Sequence, residues 1–257
     1  MQQATSQQRV AFVTGGAMGI GADVCHRLAA AGMTVIVADR DTGAAEKTAA
    51  ELRAQGLRAE AQAIDVGDAE SVARAFAELE QRHGRCDVLV NSAGIAKVFP
   101  FLEFPLDNFA ATMNVNVTGV LLCSQHAARL MVRHRWGRIV NVASVAGMRA
   151  VGTGRTAYGT SKGAVIALTR QMAVELAEHG VTANAVAPGP VDTPMTRELH
   201  TDRFRQEYCN AIPMNRYGTP SEIAAAVMYL VSEDAAYTSG VILPVDGGFL
   251  ASGARGL

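Results

Sequence analysis

The segment TGGAMGIG, Thr14–Gly21, follows the apolar run RVAFVT and leads into a stretch where Ile20, Val24 and Leu28 recur at helical spacing. Strand, glycine-rich turn and amphipathic helix in that order open a βαβ unit. Gly15 permits the tight turn, Gly19 lets main chain approach a phosphate, and Gly21 lets the helix pack closely on the strand. The helix N-terminus contributes free N–H groups and positive partial charge, which suit an anion. Gly32 is placed to end this helix with a positive φ.

Outward from that segment, short β-branched runs alternate with longer helical ones. The runs are RVAFVT, TVIVAD, AEAQAID, CDVLVNSAG, GRIVNVAS, VTANAVAP and VILPVDGG, mostly near-continuously apolar, as strands buried on both faces should be. Amphipathic stretches cover about 43–55, 69–83, 106–135, 156–179 and 221–232. The alternation predicts an α/β, Rossmann-like doubly wound sheet of about seven parallel strands with helices on both faces. At 257 residues the chain suits one domain, read here as 9–257 behind a flexible tail at 1–8. The stretch at about 189–217 reads as irregular, with Pro188, Pro190, Pro194 and Pro213 in it or at its edge, and is a candidate substrate lid.

A formal net charge of -1 and a pI near 6.6 give no electrostatic footprint for nucleic acid or an anionic membrane, so the expected partner is a small molecule. No apolar run approaches the roughly 20 residues of a membrane span, and the polar start MQQATSQQ has no signal-peptide pattern; a cytoplasmic protein is expected. Cys25, Cys86, Cys123 and Cys209 are far apart and read as thiols. The six histidines form no HxxxH or HExxH pattern, and no metal site is assigned.

Asp39 closes the run TVIVAD 18 residues after Gly21, near the distance at which an acid reaches adenosine ribose hydroxyls. Its alternative role is to cap the helix after DRDTG. A carboxylate opposes a 2′-phosphate and bonds two free hydroxyls well, which favours NAD. Arg40, beside the acid, is the residue that could accommodate the phosphate.

Tyr158 and Lys162 stand four residues apart in YGTSK, hence on one helix face, and Ser144 ends the run GRIVNVAS. Deprotonating a phenol of pKa about 10 near neutral pH asks for roughly three units, or about 4 kcal/mol. A cation about 4 Å away at an effective dielectric of about 20 supplies a term of that size. Tyr158 is thus expected as general acid/base, Lys162 as its electrostatic activator and Ser144 as the hydroxyl steadying the substrate oxygen. Together with the glycine loop, the pair describes a nicotinamide-dependent redox enzyme.

With NSAG at Asn91–Gly94, NVNVTG containing Asn116, and PGPVDTP from Pro188 in the same order, the chain resembles the short-chain dehydrogenase/reductase family from about Arg9 to Gly248. The resemblance implies Asn116, Ser144, Tyr158 and Lys162 as the catalytic set, with Asn116 anchoring a water-mediated proton path. It implies a cofactor cleft made by Gly15, Met18, Gly19, Ile20, Gly21, Asp39, Arg40, Asp65, Val66, Asn91, Ala93, Gly94, Tyr158, Lys162, Pro188, Gly189, Val191 and Thr193. Asp65 and Val66 would border the adenine, and Val191 and Thr193 the nicotinamide carboxamide. Two departures stand out: Asn91-Ser92 in place of the commoner Asn-Asn, and one extra residue between Ser144 and Tyr158.

For the substrate, Arg149 and Arg155 in the loop MRAVGTGRT could hold an anionic group, or serve a rim or a subunit contact. Met148, Val151, Phe99, Phe101, Phe104 and Met195 could equally line an apolar pocket. The expected reaction is hydride transfer between NAD(H) and a secondary alcohol, polyol or sugar. A 3-oxoacyl-(acyl-carrier-protein) reductase using NADPH is the alternative enzyme, and a catalytically silent dinucleotide sensor the alternative of another class. Small and apolar residues on the helices at 106–135 and 156–179, such as Ala127, Ala128, Val165, Ala167, Leu168 and Ala173, together with the resemblance, lead us to expect a homotetramer.

Overall fold

The computed structural model describes residues 8–252; all but Gln8 of the expected tail at 1–8 lies outside them. Seven parallel strands form one sheet in the order β3-β2-β1-β4-β5-β6-β7. They are β1 Val10–Thr14, β2 Thr34–Asp39, β3 Ala59–Ala63, β4 Val88–Asn91, β5 Gly137–Val142, β6 Val181–Pro188 and β7 Ile242–Val245. Side chains of β1 alternate between two cores. Ala11 and Val13 pack with α1 Gly19–Ala30, α2 Thr42–Ala54 and α9 Pro220–Val231 on one face. Val10 and Phe12 pack on the other with α3 Ala69–His83, α5 Gly119–His134 and α6 Thr156–Leu176. Phe12 is fully buried and stacks on Phe76 at 4.6 Å, a burial that contributes about 1.5–3 kcal/mol.

The chain builds outward through β1, β2 and β3, then crosses back so that β4 lies beside β1. The reversal leaves a crevice at the carboxyl ends of β1 and β4, where loops diverge to opposite sides. Gly32 follows α1 with φ of 88°, as the sequence suggested.

The helix expected over 106–135 is divided. It runs as α4 Leu106–Met113, then a wide π turn at Asn114–Thr118, then α5. Such a turn re-aims a side chain without ending the helix. It carries Asn116.

The stretch 189–217 is also more regular than its prolines suggested. It contains α7 Pro194–Leu199 and α8 Asp202–Ala211. Pro194 sits in the first turn of α7, where a missing N–H costs nothing, and Thr193 caps that helix reciprocally with Thr196. Ala127, Ala128, Val165 and Ala173 are buried within the chain itself, so they carry no argument for subunit pairing. The exposed large apolar side chains on these helices are instead Leu106, Leu121 and Val174.

Candidate active site

The glycine turn is shaped by contacts a side chain would destroy. Gly15 has φ of 64°, and a Cβ there would stand 2.7 Å from the Ala93 nitrogen. A Cβ on Gly21 would lie 2.0 Å from the Gly15 carbonyl oxygen. Helix α1 begins after Met18 with no side-chain cap, leaving its first N–H groups for a ligand. Thr14 Oγ1 accepts from the N–H groups of Ser92 and Ala93 at 3.2 and 3.3 Å, tying the ends of β1 and β4 together at the crevice.

A cavity of about 510 Å³ opens there. Its walls include Gly15, Met18, Gly19, Ile20, Asp39, Arg40, Asp65, Val66, Ala93, Gly94, Pro188, Gly189, Val191 and Thr193 from the expected cofactor set, and Ser144, Tyr158 and Lys162 from the expected catalytic set. Three expected residues lie behind the wall. Gly21 is buried under Gly15. Asn91, expected in the cleft, points its amide into the protein, donating to Ser124 Oγ at 3.1 Å and Asn141 Oδ1 at 2.8 Å; its neighbour Ser92 reaches the cavity instead. Asn116 is fully buried. Its amide donates to Ile95 O and Ser161 Oγ, each at 3.0 Å, and accepts from the Ile95 N–H at 2.9 Å, so it braces the loop after β4 against α6.

Asp39 is not the helix cap; Asp41 is, accepting from the Ala44 N–H at 3.0 Å. The Asp39 carboxylate accepts from the Ala17 N–H at 3.2 Å and the Asp41 N–H at 3.1 Å, which fixes it at the cavity rim beside exposed Arg40. Ile64, Ile95 and Val115 form apolar wall between the two ends. Sequence reading missed these because their placement depends on loops after strands meeting across the switch point.

At the opposite end, Ser144 Oγ accepts from the Ala146 N–H at 3.1 Å and is hydrogen-bonded to the Tyr158 hydroxyl. Lys162 is 5 % exposed, donates to the Val142 carbonyl at 2.7 Å, and stands 5.7 Å from the centre of the Tyr158 ring. Burial lowers the Lys162 ammonium to about 8. Burial also raises the Tyr158 phenol, outweighing the Ser144 hydrogen bond and the Arg155 charge, which lower it. In the chain without cofactor, then, burial keeps the phenol above its ordinary value. Desolvation outweighs both lowering contributions.

Neither expected anion-binding arginine lines this cavity. Arg149 lies 5.0 Å from the Phe249 ring centre. Arg155 precedes α6 and bonds the imidazole of His200, which the sequence did not single out. His200 lies 45 positions away, and no local pattern links the two.

An uncapped helix N-terminus, main chain exposed by glycine, a ribose-type carboxylate, an apolar middle and a hydroxyl-rich end suit a nicotinamide dinucleotide. When bound, that group supplies the hydride donor or acceptor. Among the described residues no three His, Cys, Asp or Glu side chains assemble to hold a metal, and no helix is long and apolar enough to cross a membrane.

The family model described as enoyl-(acyl carrier protein) reductase matches residues 15–250. The chain is 38 % identical over 243 residues to the 3-oxoacyl-(acyl-carrier-protein) reductase FabG of Aquifex aeolicus, covering 94 % of this chain and 97 % of that protein. It is 40 % identical over 240 residues to the reductase of the same activity named MabA from Mycobacterium bovis, covering 93 % and 92 %. Among solved structures, a gluconate 5-dehydrogenase from Burkholderia cenocepacia in complex with NADP and tartrate superposes with a TM-score of 0.91 at 34 % identity, covering 95 % of this chain and 96 % of that one. With this match along nearly its whole length and its own residues at the positions the motifs require, the chain belongs to the short-chain dehydrogenase/reductase family of oxidoreductases.

Proposed function

We propose that this enzyme reduces the 3-oxo group of an acyl thioester, with Tyr158 giving the proton, Ser144 holding the substrate oxygen and Lys162 orienting the nicotinamide end of the cofactor. The meeting of Ser144, Tyr158 and Lys162 at one end of the cavity supports the chemistry. The relatives named as 3-oxoacyl-(acyl-carrier-protein) reductases support the substrate class, and they reverse the order in which the sequence ranked the two enzymatic readings. The second reading, oxidation of a polyol or sugar acid, is favoured by the gluconate 5-dehydrogenase likeness. Asn116 acts as a brace behind the site. The segment 189–217, which brings Val191, Thr193, Pro194, Met195 and Thr196 to the cavity, serves as its lid.

For the dinucleotide we keep NAD(H), on the charge of Asp39 at the rim; the relative solved with NADP argues the other way, and exposed Arg40 is the group able to reverse the preference. A cytoplasmic location and a homotetramer, with Leu106 and Val174 at contacts, complete the reading.

Rates on acetoacetyl-CoA with NADH and NADPH, run beside NAD⁺ and NADP⁺ reduction with gluconate and other polyols, separate these readings. Thioester reduction lowered roughly 10² to 10⁴-fold by Tyr158→Phe is expected. Turnover of polyols alone establishes the second reading, and silence throughout despite dinucleotide binding leaves a sensor.

A further inference from the structure

His200 lies in the turn between α7 and α8, 8 % exposed, walled by Phe204, Tyr208 and Tyr217 with ring centres 4.6, 5.9 and 6.0 Å away. Its Nε2 is 2.7 Å from Arg155 Nη2, and its Nδ1 is 2.9 Å from the Tyr217 hydroxyl. A guanidinium only donates, so Nε2 must carry the lone pair and Nδ1 the proton. Tyr217 then accepts from Nδ1–H. This fixes both the tautomer and the neutral state, because a protonated ring offers Arg155 no acceptor.

The groups facing the imidazole are Arg155 from the start of α6, Arg205 and Tyr208 from α8, and Tyr217 from the segment before α9. Arg205 is engaged elsewhere, bonded to Asp192 at 3.1 Å with its guanidinium 4.4 Å from the Tyr217 ring centre. Arg155 has no carboxylate within ion-pairing distance among the described residues, so its charge is not cancelled locally. It sits three positions before Tyr158.

We infer that neutral His200 is a positioning residue: it holds the Arg155 cation at the start of the helix that carries Tyr158, and so couples the 189–217 segment to the acid–base end of the cavity. Consistent with this, burial, then the charge of Arg155, then that of Arg205 bring the imidazole down to about 4, so it stays an acceptor through the neutral range. The Arg155 charge lowers the Tyr158 phenol against its burial. The functional meaning rests on the proposed acid–base role of Tyr158, while the test measures the side chains themselves.

Nitrogen and carbon NMR of the free enzyme, with ¹⁵N-histidine and ¹³Cζ-tyrosine, reads both. His200, assigned by the signal lost in His200→Gln, should show the Nδ1–H tautomer at pH 7 and remain neutral at pH 5, and Arg155→Met should raise its midpoint while burial still holds it below the ordinary value. The Tyr158 midpoint, assigned by Tyr158→Phe, should rise by about one pH unit in both His200→Leu and Arg155→Met, the order expected for removing one nearby charge. His200→Gln, whose side-chain oxygen can accept from Arg155, should keep the wild-type midpoint. An Nε2–H tautomer, or a Tyr158 midpoint unmoved in Arg155→Met, overturns the inference whether or not any substrate is turned over. If the Tyr158 shifts occur as stated yet Tyr158→Phe keeps its catalytic rate, the proposed function fails and the positioning does not.

Discussion

The glycine turn and the segment 189–217 face each other across the same cavity and are held in opposite ways. The turn is held mainly by main chain and sterics: Gly16 donates to Ala38 O at 3.1 Å, and Gly15 and Gly21 stand where any Cβ would strike backbone, with the Asp39 carboxylate as a side-chain partner of Ala17 N–H. The segment is held by side chains: Asp192 bonds Arg197 at 3.0 and 3.1 Å and Arg205 at 3.1 Å, His200 bonds Arg155 and Tyr217, and Phe204 packs on Tyr208 at 5.0 Å. A steric seat responds little to pH or salt. A seat of ion pairs and one neutral imidazole responds to both.

The contrast breaks most visibly at Gly21→Ala. With backbone 2.0 Å from the new methyl, the turn must shift, and dinucleotide Kd should rise by about 100-fold, equivalent to roughly 3 kcal/mol. Fluorescence titration with NADH checks it; a change under about threefold means the turn is as yielding as the segment opposite. Asp39→Ala comes next. It should shift the NADPH-to-NADH affinity ratio by about tenfold toward NADPH, or about 1.4 kcal/mol, in the same titration. A wild type that already binds NADPH as tightly as NADH would remove Asp39 as the selector.

The pH-sensitive side of the comparison is tested by acid. His200 titrates near 4 in the fold against about 6.5 when unfolded, so between those values the unfolded chain binds more protons. Stability should therefore fall as pH drops from about 6.5 toward 4, and thermal melts of wild type and His200→Gln should diverge over that window. Parallel melts would mean the imidazole contributes nothing to acid sensitivity. The smallest effect is expected at Asp192→Asn. Two arginines hold the Asp192 carboxyl at about 2, but its side chain is 36 % exposed, and such pairs contribute at most about 1 kcal/mol. A loss well beyond that would place the segment's stability in its charges rather than in its aromatic packing.

The sheet and the glycine turn were legible because each depends on near neighbours. Strand order reversal, the glycine turn and Asp39 at the end of β2 follow from local pattern plus connection rules. The direction of the Asn91 amide and the π turn inside the helix over 106–135 were not legible for a different reason. Whether an amide faces a cleft or an inner partner, and whether a helix widens at Asn116, is decided by Ser124, Asn141, Ile95 and Ser161, which reach these positions only in three dimensions.

The sequence by itself determined the alternation of elements, the parallel sheet, the glycine turn and the placing of Ser144 at a strand end with Tyr158 and Lys162 on one helix face, since spacing along one chain sets which residues share a strand end or a helix face. Tertiary structure alone decided the electrostatics. Burial, which no local pattern reveals, raised the phenol and lowered the ammonium, and it brought the distant His200 onto Arg155 at the start of the helix that carries Tyr158.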